Sequence, residues 1–118
     1  TSESEFYALV GCTSTGIGLC SLAQDLGIQL KLECRSDATS AIVMANRQGL
    51  GKAKHIATGY LWIQEVYRSG GAALVKVGTH DNRADLGTKA LDAAKVQKLT
   101  EKFGGKFLDG VHELALRL

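Results

Sequence analysis

The sequence predicts an α/β fold in which a few strands are flanked by helices. Stretches with helical spacing of apolar residues alternate with two short segments, residues 30–34 and 72–77, that read as strands. The first strand runs into Asp37 and at once into a helical pattern, a junction where α/β folds place their sites. The order helix, strand, helix, helix, strand, helix also asks for a crossover between parallel strands, which wants cover on both faces.

At 118 residues, 45% hydrophobic and 22% charged, the chain has apolar material for one core and lacks the bias of a disordered segment. A net charge of +2 is too weak to imply nucleic acid by itself, so any basic footprint must be local. Cys12, Cys20 and Cys34 are widely spaced without a C-x-x-C, which favours reduced thiols over a zinc site. No uninterrupted apolar run approaches the ~18 residues of a membrane span, and no leader pattern opens the sequence. An intracellular location (a cytoplasmic particle or the nucleus), no secretion and no membrane partner are therefore expected.

The first helix opens at Ser2, where Ser2-x-x-Glu5 fits a capping box. Phe6, Leu9, Val10, Thr13, Ile17 and Cys20 follow at helical spacing, and Leu19, Leu22, Ala23 and Leu26 widen the apolar face, predicting burial on more than one side. Gly27 is a C-terminal stop. In residues 30–34, Leu30, Leu32 and Cys34 alternate with Lys31 and Glu33, the period of a half-buried strand. A second helix is expected from Ser36 or Asp37 to about Arg47, with Ala38, Ala41, Ile42 and Ala45 on one face. Residues 46–55 are the most basic stretch, a glycine-punctuated loop carrying Arg47, Lys52, Lys54 and His55. A third helix is expected over residues 55–68, then a mostly covered strand over 72–77. After a turn at 78–82, Asn82-x-x-Asp85 suggests a cap for one long helix through Leu91, Val96, Leu99 and Phe103 to Gly104. Residues 106–118 form a tail with helical spacing. Two strands make a poor sheet alone, so further strands are expected to precede Thr1 or to come from a partner.

Four segments carry a family resemblance. Ser4-Glu5-Phe6-Tyr7-Ala8-Leu9 resembles S/A-E-Y-x-A-L, and Ser36-Asp37-Ala38-Thr39-Ser40-Ala41-Ile42 resembles D-N-x-S-A-I. Lys54-His55-Ile56 with Tyr60 and Ile63-Gln64-Glu65 resembles K-H-I…Y-x-x-I-R-E, and Val77-Gly78-Thr79 with Ala84-Asp85-Leu86 and Thr88-Lys89 resembles V-x-T…A-D-x-x-T-K. In this order and spacing, over about residues 2–91, they are similar to the ribonuclease H domain of copia-type retrotransposon polyproteins. The resemblance implies a ribonuclease H-like fold over residues 1–105, truncated at its N-terminus. It implies hydrolysis of the RNA strand of an RNA–DNA hybrid, as part of a polyprotein that also carries reverse transcriptase and integrase.

What the resemblance implies about the site is a set of carboxylates holding two Mg²⁺ ions, with Mn²⁺ as a substitute. Glu5 takes the helix position, Asp37 the strand-end position and Asp85 the last-helix position. Hard divalent ions ~4 Å apart need such oxygen ligands. The family's first-strand aspartate has no counterpart here, so the chain by itself is expected to be inactive. Ala38 and Ala90 stand where the family has asparagine and proline. Arg47, Lys52, Lys54 and His55 would contact a nucleic-acid backbone, and His80, in the loop before Asp85, could serve as an auxiliary proton carrier. The alternatives are a non-catalytic remnant that is structural or binds nucleic acid weakly, and a module whose three acids are caps, since helix N-termini favour acids anyway.

Overall fold

A computed structural model describes residues 2–49, 51 and 60–107. The chain divides into two compact units, Thr1–His80 and Asp81–Leu118.

In the first unit, α1 (Ser2–Asp25), β1 (Glu33–Ser36), α2 (Thr39–Asn46), α3 (Trp62–Arg68) and β2 (Ala73–Lys76) follow in that order. The strands pair in parallel, Glu33 opposite Ala73 through Ser36 opposite Lys76, as a crossover connection requires. Phe6, Leu9 and Val10 of α1 close over Cys34 of β1, Ala41, Met44 and Ala45 of α2, and Ile63 of α3. These residues form the core. Gly27 ends α1 at φ +82°, with the Ile28 N–H donating to the Ala23 carbonyl (2.8 Å) and the Gly27 N–H to the Gln24 carbonyl (2.9 Å). This is the left-handed cap expected of a glycine in that place.

The elements depart from expectation in several places. β1 lies later than residues 30–34. Its ladder starts where the Ala73 N–H reaches the Leu32 carbonyl (2.9 Å), and Leu30, lacking a strand opposite, is exposed. β2 is not mostly covered: Ala73, Val75 and Lys76 are exposed, and Leu74 is the residue of the strand that packs against the core. α1 is buried along its first half, but Leu19, Leu22 and Leu26 are 59, 57 and 72% exposed, so the expected burial on several sides does not hold. By length and composition α1 is apolar enough to cross a membrane, although 22% of its most apolar window is buried. Counting uninterrupted runs missed this, because serines, threonines and glycines break the runs without breaking the helix. The 55–59 part of the third predicted helix lies outside the described residues, as do residues 108–118 of the tail.

The second unit holds α4 (Asp85–Thr88) and α5 (Ala93–Lys102), where one long helix was expected. Asp92 makes the break. Its Oδ1 accepts from the Lys95 N–H at 2.8 Å and starts a new helix. Gly104, at φ +81°, ends α5 as expected.

Candidate functional site

Asp37 stands at the carboxyl end of β1, between the strand and the first turn of α2. It is not the helix cap. The residue at the cap is Ala38, whose N–H is taken by Ser36 Oγ at 3.1 Å. The short Ser36 turn satisfies the junction and leaves the Asp37 carboxylate out of it.

Glu5 lies in the first turn of α1 and is exposed. Its Oε2 accepts from Ser40 Oγ at 2.9 Å, so this oxygen points across to α2 instead of back into its own helix. Ser40 is three residues past Asp37. The contact brings two of the three predicted acids to the same end of the sheet, the carboxyl end, where open α/β sheets bind ligands. A groove of about 650 Å³ lies at the other end, lined by Ile17, Gln24, Leu30, Leu32, Gly71 and Ala72. It begins both strands and is remote from Asp37.

Asp85 starts α4 in the second unit and is 2% exposed. Asn82 does not cap α4 as expected: the cap residue is Ala84, without a side-chain bond, and Asn82 Oδ1 accepts from the Ala84 N–H at 3.2 Å in a turn ahead of the helix. The Asp85 carboxylate pairs with Lys89 Nζ through Oδ1 (3.0 Å) and with Lys95 Nζ at 3.8 Å from Oδ2. Oδ2 is buried and accepts no hydrogen bond. A buried carboxylate oxygen in that state is costly unless a cation stands near it. Among the described residues, no group of three or more His, Cys, Asp or Glu side chains is gathered as a metal site. Glu5 and Asp37 belong to one unit and Asp85 to the other.

Of the basic loop, Arg47 is described, and Lys52, Lys54 and His55 lie outside the described residues. The Arg47 guanidinium covers Gly51, where a Cβ would come within 2.7 Å of Nη1 and would need φ +57°. The start of the loop is set by Gln64, a buried residue that the third motif contains but to which the sequence assigns no role. Its Nε2 donates to the Met44 (2.8 Å) and Gly49 (3.0 Å) carbonyls, and its Oε1 accepts from the Gly49 N–H (2.8 Å). His80 is exposed in a 3-10 turn, Thr79–Asp81. Beside it, Asp81 pairs with Lys98 (3.2 Å) and Lys102 of α5, and their hydrogen bonds and charges hold its carboxyl down to about 2.

Comparison with known proteins bears on the origin of this arrangement. The chain is 32% identical over 108 residues to the retrovirus-related Pol polyprotein from transposon RE2 of Arabidopsis thaliana, and equally so to that from transposon RE1. It is 30% identical over 106 residues to the corresponding polyprotein from transposon TNT 1-94 of Nicotiana tabacum. The homologues of this chain are retrovirus-related transposon Pol polyproteins. Each alignment covers 88% of the chain but only 7 to 8% of the Pol polyprotein, so the chain matches a small segment of these relatives. No family model and no solved structure matches it.

Proposed function

We propose that the chain is the ribonuclease H segment of a retrotransposon Pol polyprotein, which in the complete polyprotein hydrolyses the RNA strand of an RNA–DNA hybrid. The observation that carries the reading is the Ser40–Glu5 hydrogen bond, which brings Glu5 to the carboxyl end of β1 where Asp37 stands. The order of the four motifs and the Pol homologues support it.

Each acid by itself offers the oxygen a hard divalent metal takes, although among the described residues no three such side chains are gathered as a metal site. All three acids offer oxygen ligands, neither Asp37 nor Asp85 is used as a helix cap, and Asp85 keeps a buried oxygen without a hydrogen bond. By the family resemblance alone, Glu5, Asp37 and Asp85 would be the ligands of two Mg²⁺ ions, which when bound supply an activated water and stabilise the leaving oxygen. The chain's own residues do the rest. Ser40 orients Glu5, and Lys89 and Lys95 offset the Asp85 charge. Arg47, Lys52, Lys54 and His55 would hold phosphates of the hybrid, reading backbone and shape instead of sequence. His80 would carry a proton near the site.

The test joins the chain to the upstream polyprotein segment that supplies an acidic strand, and follows Mg²⁺-dependent cleavage of a labelled hybrid. Asp37→Asn should lower the rate by at least the 10–100-fold that loss of an outer-sphere metal partner costs. Absence of cleavage by the joined protein, or an unchanged Asp37→Asn rate, overturns the reading. Salt-sensitive hybrid binding without cleavage would instead identify a non-catalytic remnant.

A further inference from the structure

Residues 81–107 of the second unit carry six basic residues against four acidic ones, and three of the bases stand on α5. Lys95, Lys98 and Lys102 recur at i, i+3 and i+7, which is one face of a helix. Leu99, on the neighbouring face, is fully buried and fixes the rotation of α5 about its axis. The three lysines meet two acids. Lys95 Nζ lies 3.8 Å from the buried Asp85 carboxylate. Lys98 and Lys102 both converge on a single oxygen, Asp81 Oδ1, with Lys98 at 3.2 Å. Two ammoniums on one carboxylate oxygen leave positive charge over. The side chains of Lys98 and Asp81 are 52 and 54% exposed, so these pairs lie in water, where each is weak and can be exchanged for another anion.

We propose that Lys98 and Lys102 form a clamp for a phosphate of a nucleic-acid backbone, and that the Asp81 carboxylate is an intramolecular stand-in which the phosphate displaces. The choice of a nucleic acid as the polyanion rests on the nuclease reading above. A phosphodiester carries the same single negative charge as the carboxylate, and its two free oxygens give one acceptor to each lysine. The spacing along α5 agrees. From Lys95 to Lys102 the helix rises about 10 Å at 1.5 Å per residue, the length of about three phosphates at 3.4 Å each along one strand. Lys95 at Asp85 and the clamp at Asp81 therefore lie along one track. A strand with one phosphate at Asp85 lays the next ones on Lys98 and Lys102. Lysine suits such a contact, because a compact charge on a flexible stem holds a backbone without reading its bases. Asp81 in turn holds the two ammoniums together while the track is empty, and its release sets a cost on every loading.

The test follows binding of the folded chain to a labelled RNA–DNA hybrid in EDTA, by fluorescence anisotropy over about 0.05–0.5 M salt. EDTA removes cleavage, so the clamp is read whether or not the joined polyprotein proves to be a nuclease. Lys98→Ala with Lys102→Ala, its helix content verified by circular dichroism, should bind at least about tenfold more weakly at low salt, with a salt slope smaller by about 1 to 2. Should the alanine pair unfold, Lys98→Gln with Lys102→Gln carries the same expectation. Asp81→Asn should bind about two- to fivefold more tightly than wild type, since no ion pair has to be broken, and that gain should vanish in the chain lacking both lysines. An equal gain from Asp81→Asn with and without the lysines is a general charge effect and overturns the clamp. So does an unchanged salt slope in the double variant, or a chain that binds no hybrid at the lowest salt. Lysine-dependent binding to vesicles of anionic phospholipid but not to the hybrid overturns it as well.

Discussion

Ser40 Oγ lies 2.9 Å from Glu5 Oε2, and this bond joins the first turn of α1 to the first turn of α2 across 35 residues of sequence. A hydroxyl and a carboxylate, both reachable by water, set how close the Glu5 carboxylate comes to the Asp37 end of β1.

Ser40→Ala should therefore do little to stability and more to ligand geometry. The exposed bond is worth about 0.5–1 kcal/mol, to be read from urea unfolding midpoints. In the joined polyprotein, the variant should need more Mg²⁺ for half-maximal cleavage at an unchanged fold.

Gln64 is a different case because its partners are backbone groups in a buried place. Gln64→Leu keeps the size but leaves the Met44 and Gly49 carbonyls and the Gly49 N–H without their partner. The expected cost is about 2–3 kcal/mol. Gln64→Glu can still accept from Gly49 but cannot donate, so it too should destabilise. Urea midpoints of both variants within 0.2 M of wild type would dismiss the clamp.

Lys102 and Lys98 hold the Asp81 carboxyl at about 2, below its ordinary 3.8. The native state thus favours the ionised form. The stability this contributes is fully present above pH ~4 and is lost as pH falls through the folded value. Thermal midpoints of wild type and Asp81→Asn should differ by a constant amount above pH 5 and converge by pH 2. Added salt should narrow the difference at every pH, because the pairs are exposed.

Burial pushes the Tyr67 hydroxyl up, with the Cys34 hydrogen bond adding to the shift. The native state then favours the neutral phenol, so this contribution holds below pH 10 and is lost as pH climbs above it. Alkaline unfolding of wild type should begin near pH 10, and the tyrosinate absorbance of Tyr67 should rise with unfolding and not before it. Tyr67→Phe should cost about 0.5–1.5 kcal/mol at neutral pH through its lost bond to Thr13, and its stability should depend less on alkaline pH.

What could be read from the chain beforehand was local chemistry. Gly27, Gly104 and the apolar stripe Phe6, Leu9, Val10 report backbone angle and helix face, which neighbours in sequence determine. Asp37 was legible for the same reason, as an acid at a strand end. Glu5 was placed on α1 correctly, but the bond that aims it comes from Ser40, and no spacing rule links positions 5 and 40. The split between α4 and α5 was legible in principle, since Asp92 followed three residues later by Lys95 is a cap waiting to form, yet the stripe Leu91, Val96, Leu99 masked it. The exposed Leu19, Leu22 and Leu26 were read as buried because periodicity measures which face is apolar and not whether anything lies against it.

The parallel pairing of β1 with β2 has a cost in time. Glu33 must wait for Ala73, forty residues later in the chain (33 to 73), before either strand has its ladder. At 5–20 residues per second on a ribosome, that interval is about 2–8 s, whereas a helix such as α1 forms in about a microsecond. During those seconds a finished α1 with its outward leucines accompanies a strand whose backbone groups are still bound to water. The nascent chain is therefore most open to wrong partners between the emergence of Ser36 and that of Lys76, and a chaperone added to a translation reaction should be needed in that window above all.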